Sequence, residues 1–216
     1  MASVIEPTTP MESSAKPTVA VKRRTIDLVL SSLGLVMAAI LLTAGLLLTW
    51  GSNFAGNYVH DELSSQQIFF PSQDALVQGG REDLVKYAGQ QLTTGSQAEA
   101  YASYINGHLE ETAAGQTYAQ LGTPERDARA AVQSAKDSGA STDEVAALQA
   151  KADEITNQRN TLFKGETLRG LLLSSYAWDT VGRIAGFAAI AAFVGAAMMF
   201  VLSLLGFFHW FKIHKA

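Results

Sequence analysis

The sequence predicts an all-α protein in which two transmembrane helices flank an extracytoplasmic helical bundle. Three observations carry that reading. Leu28–Trp50 is an uncharged run of 23 residues, and Ile184–Phe208 is a second of 25. At about 1.5 Å rise per residue, either run exceeds the roughly 30 Å hydrocarbon thickness of a bilayer. Between the runs, apolar residues recur at helical spacing, and no alternation of period two exceeds chance.

Charge sets the orientation. Residues 51–180 hold 17 acids against 9 bases, a net of −8, whereas the remainder holds 7 bases and 3 acids. Lys22, Arg23 and Arg24 precede the first run and Lys212 and Lys215 follow the second, so both termini are expected in the cytoplasm. The first run is too long for a cleaved signal region and lacks a small-x-small site close behind it, so it reads as an uncleaved anchor. The absence of cysteine excludes disulfides and thiolate metal sites.

In chain order, residues 1–24 read as a disordered cytoplasmic leader rich in Pro, Thr, Ser and Glu, with Ser13 and Ser14 as phosphorylation candidates. The first transmembrane helix is placed at 25–50, and the helix is expected to continue outward through Gly51–Gln67. Phe69-Phe70-Pro71 and Gly79-Gly80 then interrupt it. Residues 51–180 form the extracytoplasmic domain, with helices over 81–115 and a helical hairpin over 123–164.

Leu84, Ala88 and Leu92 fall on one helical face, and Ser96 with Glu99 fits a capping box. The helix so opened presents Tyr101, Tyr104, Ile105, His108 and Leu109 on its apolar side, with Gly115 as its stop. Thr123-Pro124 opens another helix, with proline at its first position, that runs to about Asp137. Gly139 turns the chain, and Ser141 with Glu144 fits a second capping box. Val145, Leu148, Ala152, Ile155, Arg159 and Leu162 then form a coiled-coil seam with one polar member. Gly165–Asp179 is either an interfacial helix or the outer end of one helix continuous with the second span. That span is placed at 181–210, with a cytoplasmic tail at 211–216.

Candidate functional residues are few. Gly182 and Gly186 form a Gly-xxx-Gly pair, continued by Ala188, Ala192 and Ala196, while the first span offers Gly34 and Ala38. Small residues at this spacing let helix backbones approach in lipid, either within the chain or against a partner's helix. Asp179 and Arg183 are placed for an i,i+4 ion pair at the interface.

Four histidines are the only obvious metal or acid–base residues. Of these, only His60 and His108 fall in the extracytoplasmic segment, with Asp61 or Glu62 near, as a two-His, one-carboxylate iron site would need. His108 beside Leu109 reads first as a hydrogen-bonded structural histidine. The adjacent acid pairs, such as Glu110-Glu111, diverge by about 100° on a helix and read as solvated faces. No Gly-x-Ser-x-Gly or phosphate-cradling loop is present, and net negative charge argues against nucleic acid.

Three segments carry a resemblance: Phe69-Phe70-Pro71-Ser72, Lys86-Tyr87-Ala88-Gly89-Gln90-Gln91, and Gly165-Glu166-Thr167-Leu168-Arg169-Gly170-Leu171-Leu172-Leu173 with Tyr176-Ala177. They look like a family of two-span actinobacterial membrane proteins of unknown function, over most of residues 25–210. Genomes often label that family an aromatic ring-opening dioxygenase. The iron triad implied by the label has no ligand set in this sequence. The resemblance implies an actinobacterial plasma membrane. The residues favour a non-enzymatic accessory or scaffold subunit without a cofactor, in contact with the bilayer and with a membrane-protein partner or a second copy. A sensor module relaying through a partner is the alternative, and an iron-dependent ring-cleaving enzyme the third.

Overall fold

Uninterrupted apolar residues and the absence of an internal proline let the first helix run much further than its span. In a computed structural model describing residues 23–213, helix α1 occupies Arg23–Ser65, 43 residues long. It is followed by α2 (Gln73–Gln78), a 3₁₀ helix at Glu82–Tyr87, α3 (Gly95–Thr112), α4 (Gly122–Asp137) and α5 (Thr142–Ile213). Residues 1–22 of the expected leader, with Lys22, and residues 214–216, with His214 and Lys215, lie outside the described residues, whereas Arg23 and Arg24 already belong to α1 and residues 211–213 of the expected tail to α5. Among the described residues the fold is all-helical, and the nearest approach to a sheet is one antiparallel bridge, Phe69 to Gln91. α1 and α5 each contain a stretch long and apolar enough to cross a membrane.

The chain divides into two units, the first comprising Met1–Leu42 with Phe193–Ala216 and the second Thr43–Ala192. In the first, α1 buries Ser31, Gly34 and Ala38, and α5 buries Ala196 and Ser203. Large apolar side chains such as Leu30, Leu33, Leu202 and Leu205 point away from the pair and are well exposed.

The second unit has a core of larger side chains. Val59 and Leu63 of α1, Leu172 of α5 and Ala98 and Ala102 of α3 enclose Phe70 and Leu92. Phe70 stacks on Tyr87 with ring centroids 5.1 Å apart and meets Tyr101 edge-on at 5.2 Å. Its neighbour Phe69 is exposed, so only one of the adjacent phenylalanines anchors the core. A second cluster joins Leu109 and Ala113 at the end of α3 to Leu121 and Leu162.

Several local expectations need correcting. Leu84, Ala88 and Leu92 do not share one α-helix, because Gly89 takes a positive φ of 68° and the chain then extends. Leu92 donates its amide to Ile68 O, which ties this segment to the chain after α1. The α3 cap is Thr94 with Gln97, not Ser96 with Glu99. Proline 124 stands third in α4, because the helix begins at Gly122 with Leu121 before it. At the start of α5, Ser141 Oγ accepts from Glu144 N at 3.2 Å.

Gly165 does not break α5. It is a notch: a Cβ built there would stand 2.4 Å from Leu109 Cδ2. Gly165–Asp179 is therefore the middle of one 72-residue helix.

Candidate functional site

Apart from Ala188, the residues singled out for helix packing lie along the seam between α1 and α5, which can be followed separately in each unit. In the first unit, Gly34 faces Ser203 and Met199, Ser31 faces Gly206, and Gly195 lies against Leu41. A Cβ at Gly206 would fall 2.1 Å from Ser31 Oγ, and one at Gly34 would fall 2.4 Å from Ser203 Oγ. Ala38 and Ala196 are buried. Ser203 Oγ donates to Met199 O at 2.7 Å, so its hydroxyl is satisfied within α5. Where the seam ends, Asp27 Oδ2 is buried without a hydrogen bond and stands 3.9 Å from His209 Nε2.

In the second unit, Gly182 receives Ala55 and Ser52, and Gly186 receives Ser52. The spacing differs from the expected one. Ala188 is exposed and Ala189 is buried in its place, while Ala192 is half-buried. A run at spacing four rotates about 40° per step around the helix, whereas alternating fours and threes hold a seam in line. On α1 that alternation is nearly perfect through Asp27, Ser31, Gly34, Ala38 and Leu41, then Gly45, Leu48, Ser52, Ala55 and Val59.

Asp179 and Arg183 do pair, with Arg183 Nη1 3.8 Å from Asp179 Oδ2. Asp179 has a second relation that the spacing argument missed. A Cβ on Gly95 would stand 2.3 Å from Asp179 Cβ, so the first residue of α3 rests directly against the acid. A carboxylate at a helix N-terminus is favourably placed against the partial positive charge there.

Two polar centres hold the second unit together. Gln97 Oε1 accepts from the amides of Thr93 at 2.9 Å and Thr94 at 3.1 Å, and its Nε2 donates to Gln90 Oε1 at 3.1 Å. Glu125 on α4 accepts from Arg159 Nη1 at 2.5 Å, from Arg129 at 2.7 Å and from Thr156 Oγ1 at 3.1 Å. Arg159 also lies over the Tyr118 ring at 4.1 Å. The Arg159 guanidinium, with Thr156 and Arg129, holds the Glu125 carboxyl below its ordinary range despite desolvation. Arg159 is thus the expected polar member of the seam, and Glu125 its partner. The pairs 125–159 and 129–156 run in opposite directions, so α4 and the start of α5 form the expected antiparallel hairpin.

Arg81 grips Asp83 through two nitrogens at 2.9 and 3.0 Å and donates to Ser103 O at 3.0 Å. Its guanidinium holds the Asp83 carboxyl low in turn. His108 corrects an expectation: it is exposed, against the Tyr104 ring at 4.5 Å and 3.9 Å from Glu111. The buried line of α3 instead passes through Ala98, Ala102 and Leu109. Among the described residues, no three His, Cys, Asp or Glu side chains form a group that could hold a metal ion. His60 on α1 is exposed as well. What the arrangement offers chemically is close backbone approach, ion pairing and a rigid hairpin.

No protein-family model matches the chain, and neither a curated protein nor a solved structure matches it.

Proposed function

We propose that the chain is a two-span plasma-membrane protein with both termini cytoplasmic and residues 51–180 outside. In this reading it serves as a non-enzymatic accessory or scaffold subunit of a larger envelope complex. The observation that carries it is the exposed apolar surface of the two long helices. Leu47 is 64% and Phe187 72% exposed, amid a nearly unbroken band of Leu, Ile, Val and Phe. Water does not tolerate a contiguous face of that size without a covering partner, whereas lipid does. The inward face is already filled by small residues, so the bulk is directed at the surroundings.

The scaffold role is supported by the joined helices. α5 is one unbroken helix from the tip of a hairpin to the far end of a membrane-length stretch. The same continuity favours the second reading, a sensor whose helix displacement a partner would relay. Ligand-dependent stabilisation of the full chain would favour the sensor.

The absence of cysteine makes the orientation testable on an otherwise native chain. Ser141→Cys, at the hairpin turn, should react with a membrane-impermeant maleimide on intact cells, and Ala216→Cys only after permeabilisation. The reverse pattern overturns the orientation. Solubilisation in mild detergent should then recover a stoichiometric partner or a second copy; a lone monomer overturns the scaffold role.

A further inference from the structure

The last rung of the first unit's seam differs from the two before it. At one, Ser203 is seated on Gly34, and at the next, Ser31 on Gly206. Both contacts are steric, and neither carries a charge. The third rung, one turn further along each helix, brings Asp27 of α1 to His209 of α5, with Oδ2 and Nε2 3.9 Å apart. Asp27 Oδ2 is buried and accepts no hydrogen bond. A buried oxygen without a donor is destabilising, the more so on a charged carboxylate. At 3.9 Å the imidazole is too far for a hydrogen bond and near enough for an ion pair. Exposure divides the roles. The Asp27 side chain is 22% exposed and that of His209 50%, so the imidazole exchanges protons with water while the carboxylate oxygen is shielded.

The charged groups around this rung come from both helices. Arg23 and Arg24 lie on α1 one turn before Asp27, and Lys212 lies on α5 three residues beyond His209. Lys22, His214 and Lys215 flank them in the sequence and lie outside the described residues. Guanidinium, ammonium and carboxylate groups ordinarily keep their charge between about pH 5 and 8, whereas imidazole changes its own there. His209 is the imidazole that stands against Asp27, and His214 is the other one in this part of the sequence.

An open pocket beside the rung provides for a second state. Asp27, Ser31, Ser203 and Gly206 are in its wall, so it offers two hydroxyls as well as the carboxylate. Ser203 Oγ already donates to Met199 O and keeps its lone pairs for acceptance. A water admitted to a pocket with three such partners can donate to Asp27 when no cation does.

We infer that Asp27 and His209 form a proton-dependent clasp at the end of the seam where α1 begins and α5 finishes. When His209 takes one proton from water, both ring nitrogens carry N–H. Nε2–H then donates to Asp27 Oδ2 in a charge-assisted bond that draws the helix ends together. When that proton returns to water, the cation is gone, Asp27 is hydrated through the pocket, and the rung opens. The rungs at Gly34 and Gly206 hold no titratable group, so they stay closed and the movement is confined to the end. The inference goes beyond the membrane reading proposed above and does not depend on which side carries the termini. With the termini in the cytoplasm, the proton concerned is the cytoplasm's.

The test uses the full chain in nanodiscs of phosphatidylcholine and phosphatidylglycerol. Nitroxides are attached at Ile26→Cys and Phe208→Cys, exposed positions near the rung in a chain that has no cysteine of its own. Spin–spin distances are read by pulsed EPR after freezing from about pH 5.5 and about pH 8.5, either side of the imidazole range. Expected is one narrow distribution in acid, and a several-fold smaller share of that population in base. A second pair, Val36→Cys with Val201→Cys, should give the same distribution at both. His209→Gln and Asp27→Asn should each abolish the pH response, and His209→Lys should hold the narrow population at both pH values. His214→Gln should leave the response as it was. Coincident distributions from the 26 and 208 labels at the two pH values overturn the clasp. A response that survives His209→Gln or Asp27→Asn, or that vanishes with His214→Gln, overturns it too. So does an equal response from the labels at 36 and 201, or a wide distribution in His209→Lys. The maleimide labelling decides the orientation separately, and its failure leaves the clasp standing.

Discussion

The same two helices are held together by different means in the two units. In the first, the seam is built from Ser31, Gly34 and Ala38 on α1 and Ala196, Ser203 and Gly206 on α5. In the second, small residues recur where Gly182 and Gly186 meet Ser52 and Ala55, but around α3 the contact is made by Val59, Leu63, Leu92 and Leu172 with Phe70 enclosed. Burying large apolar groups stabilises a fold only where the alternative is water, at about 25 cal/mol per Å². Where the alternative is hydrocarbon, close packing of small residues takes over. The contrast is the one that two solvents would select.

That contrast can be broken or sharpened. Its largest test is Leu92→Ala at a fully buried position, which should cost about 2–5 kcal/mol. The loss should appear as reduced hydrogen-exchange protection in the second unit, with the amides of residues 28–42 unaffected. Equal loss in both units would erase the distinction.

Next in size is Gly182→Leu. A Cβ there already lies 2.9 Å from Ala55 Cβ and 3.3 Å from the Ser52 carbonyl, neither of which can swing aside. Overpacking should cost about 1–3 kcal/mol in thermal melts of the chain in nanodiscs. Gly170→Ala is the matched control, because nothing lies within 4 Å of it. It should stabilise α5 by about 0.5–1 kcal/mol. Equal responses at the two glycines would mean that the close seam does not hold the helices.

Smaller again is the α3 cap. Thr94→Ala should lose about 1 kcal/mol and Ser96→Ala close to nothing, which distinguishes the two candidate boxes by melting temperature.

The smallest effect depends on pH. Glu125 has a carboxyl lowered by Arg159, so its contribution is complete above the ordinary glutamate range, near 4.3, and is lost as pH falls through the lowered value. Glu125→Gln should be less stable at neutral pH and should show a flatter stability profile below pH 4.3. A profile as steep as that of the unsubstituted chain would remove Glu125 from the account.

Legibility followed the range of the interactions. The membrane-length runs, the hairpin turn at Gly139 and the seam from Val145 to Leu162 depend on neighbours a few residues away, and all could be read. Thr94-x-x-Gln97 and Ser96-x-x-Glu99 are equally good boxes on paper. The extended segment pinned by Leu92 to Ile68 chose between them. Ala188 was favoured over Ala189 because a constant spacing of four ignores how two long helices wind about each other. Gly165 left open whether the helix stops there, because glycine often ends one, and only Leu109, far back in the chain, shows why it is there. Glu125 with Arg129 shows only as an ordinary i,i+4 pair, since its other partners lie 31 and 34 residues ahead.

The pocketing of Leu109 in Gly165 has a mechanical consequence. A tooth seated in a notch resists sliding, because every neighbouring station on the shaft carries a side chain where the notch is bare. The end of α3 is therefore indexed against α5 as by a detent. It can stay in register or leave it altogether, and small graded shifts along the shaft are not open to it.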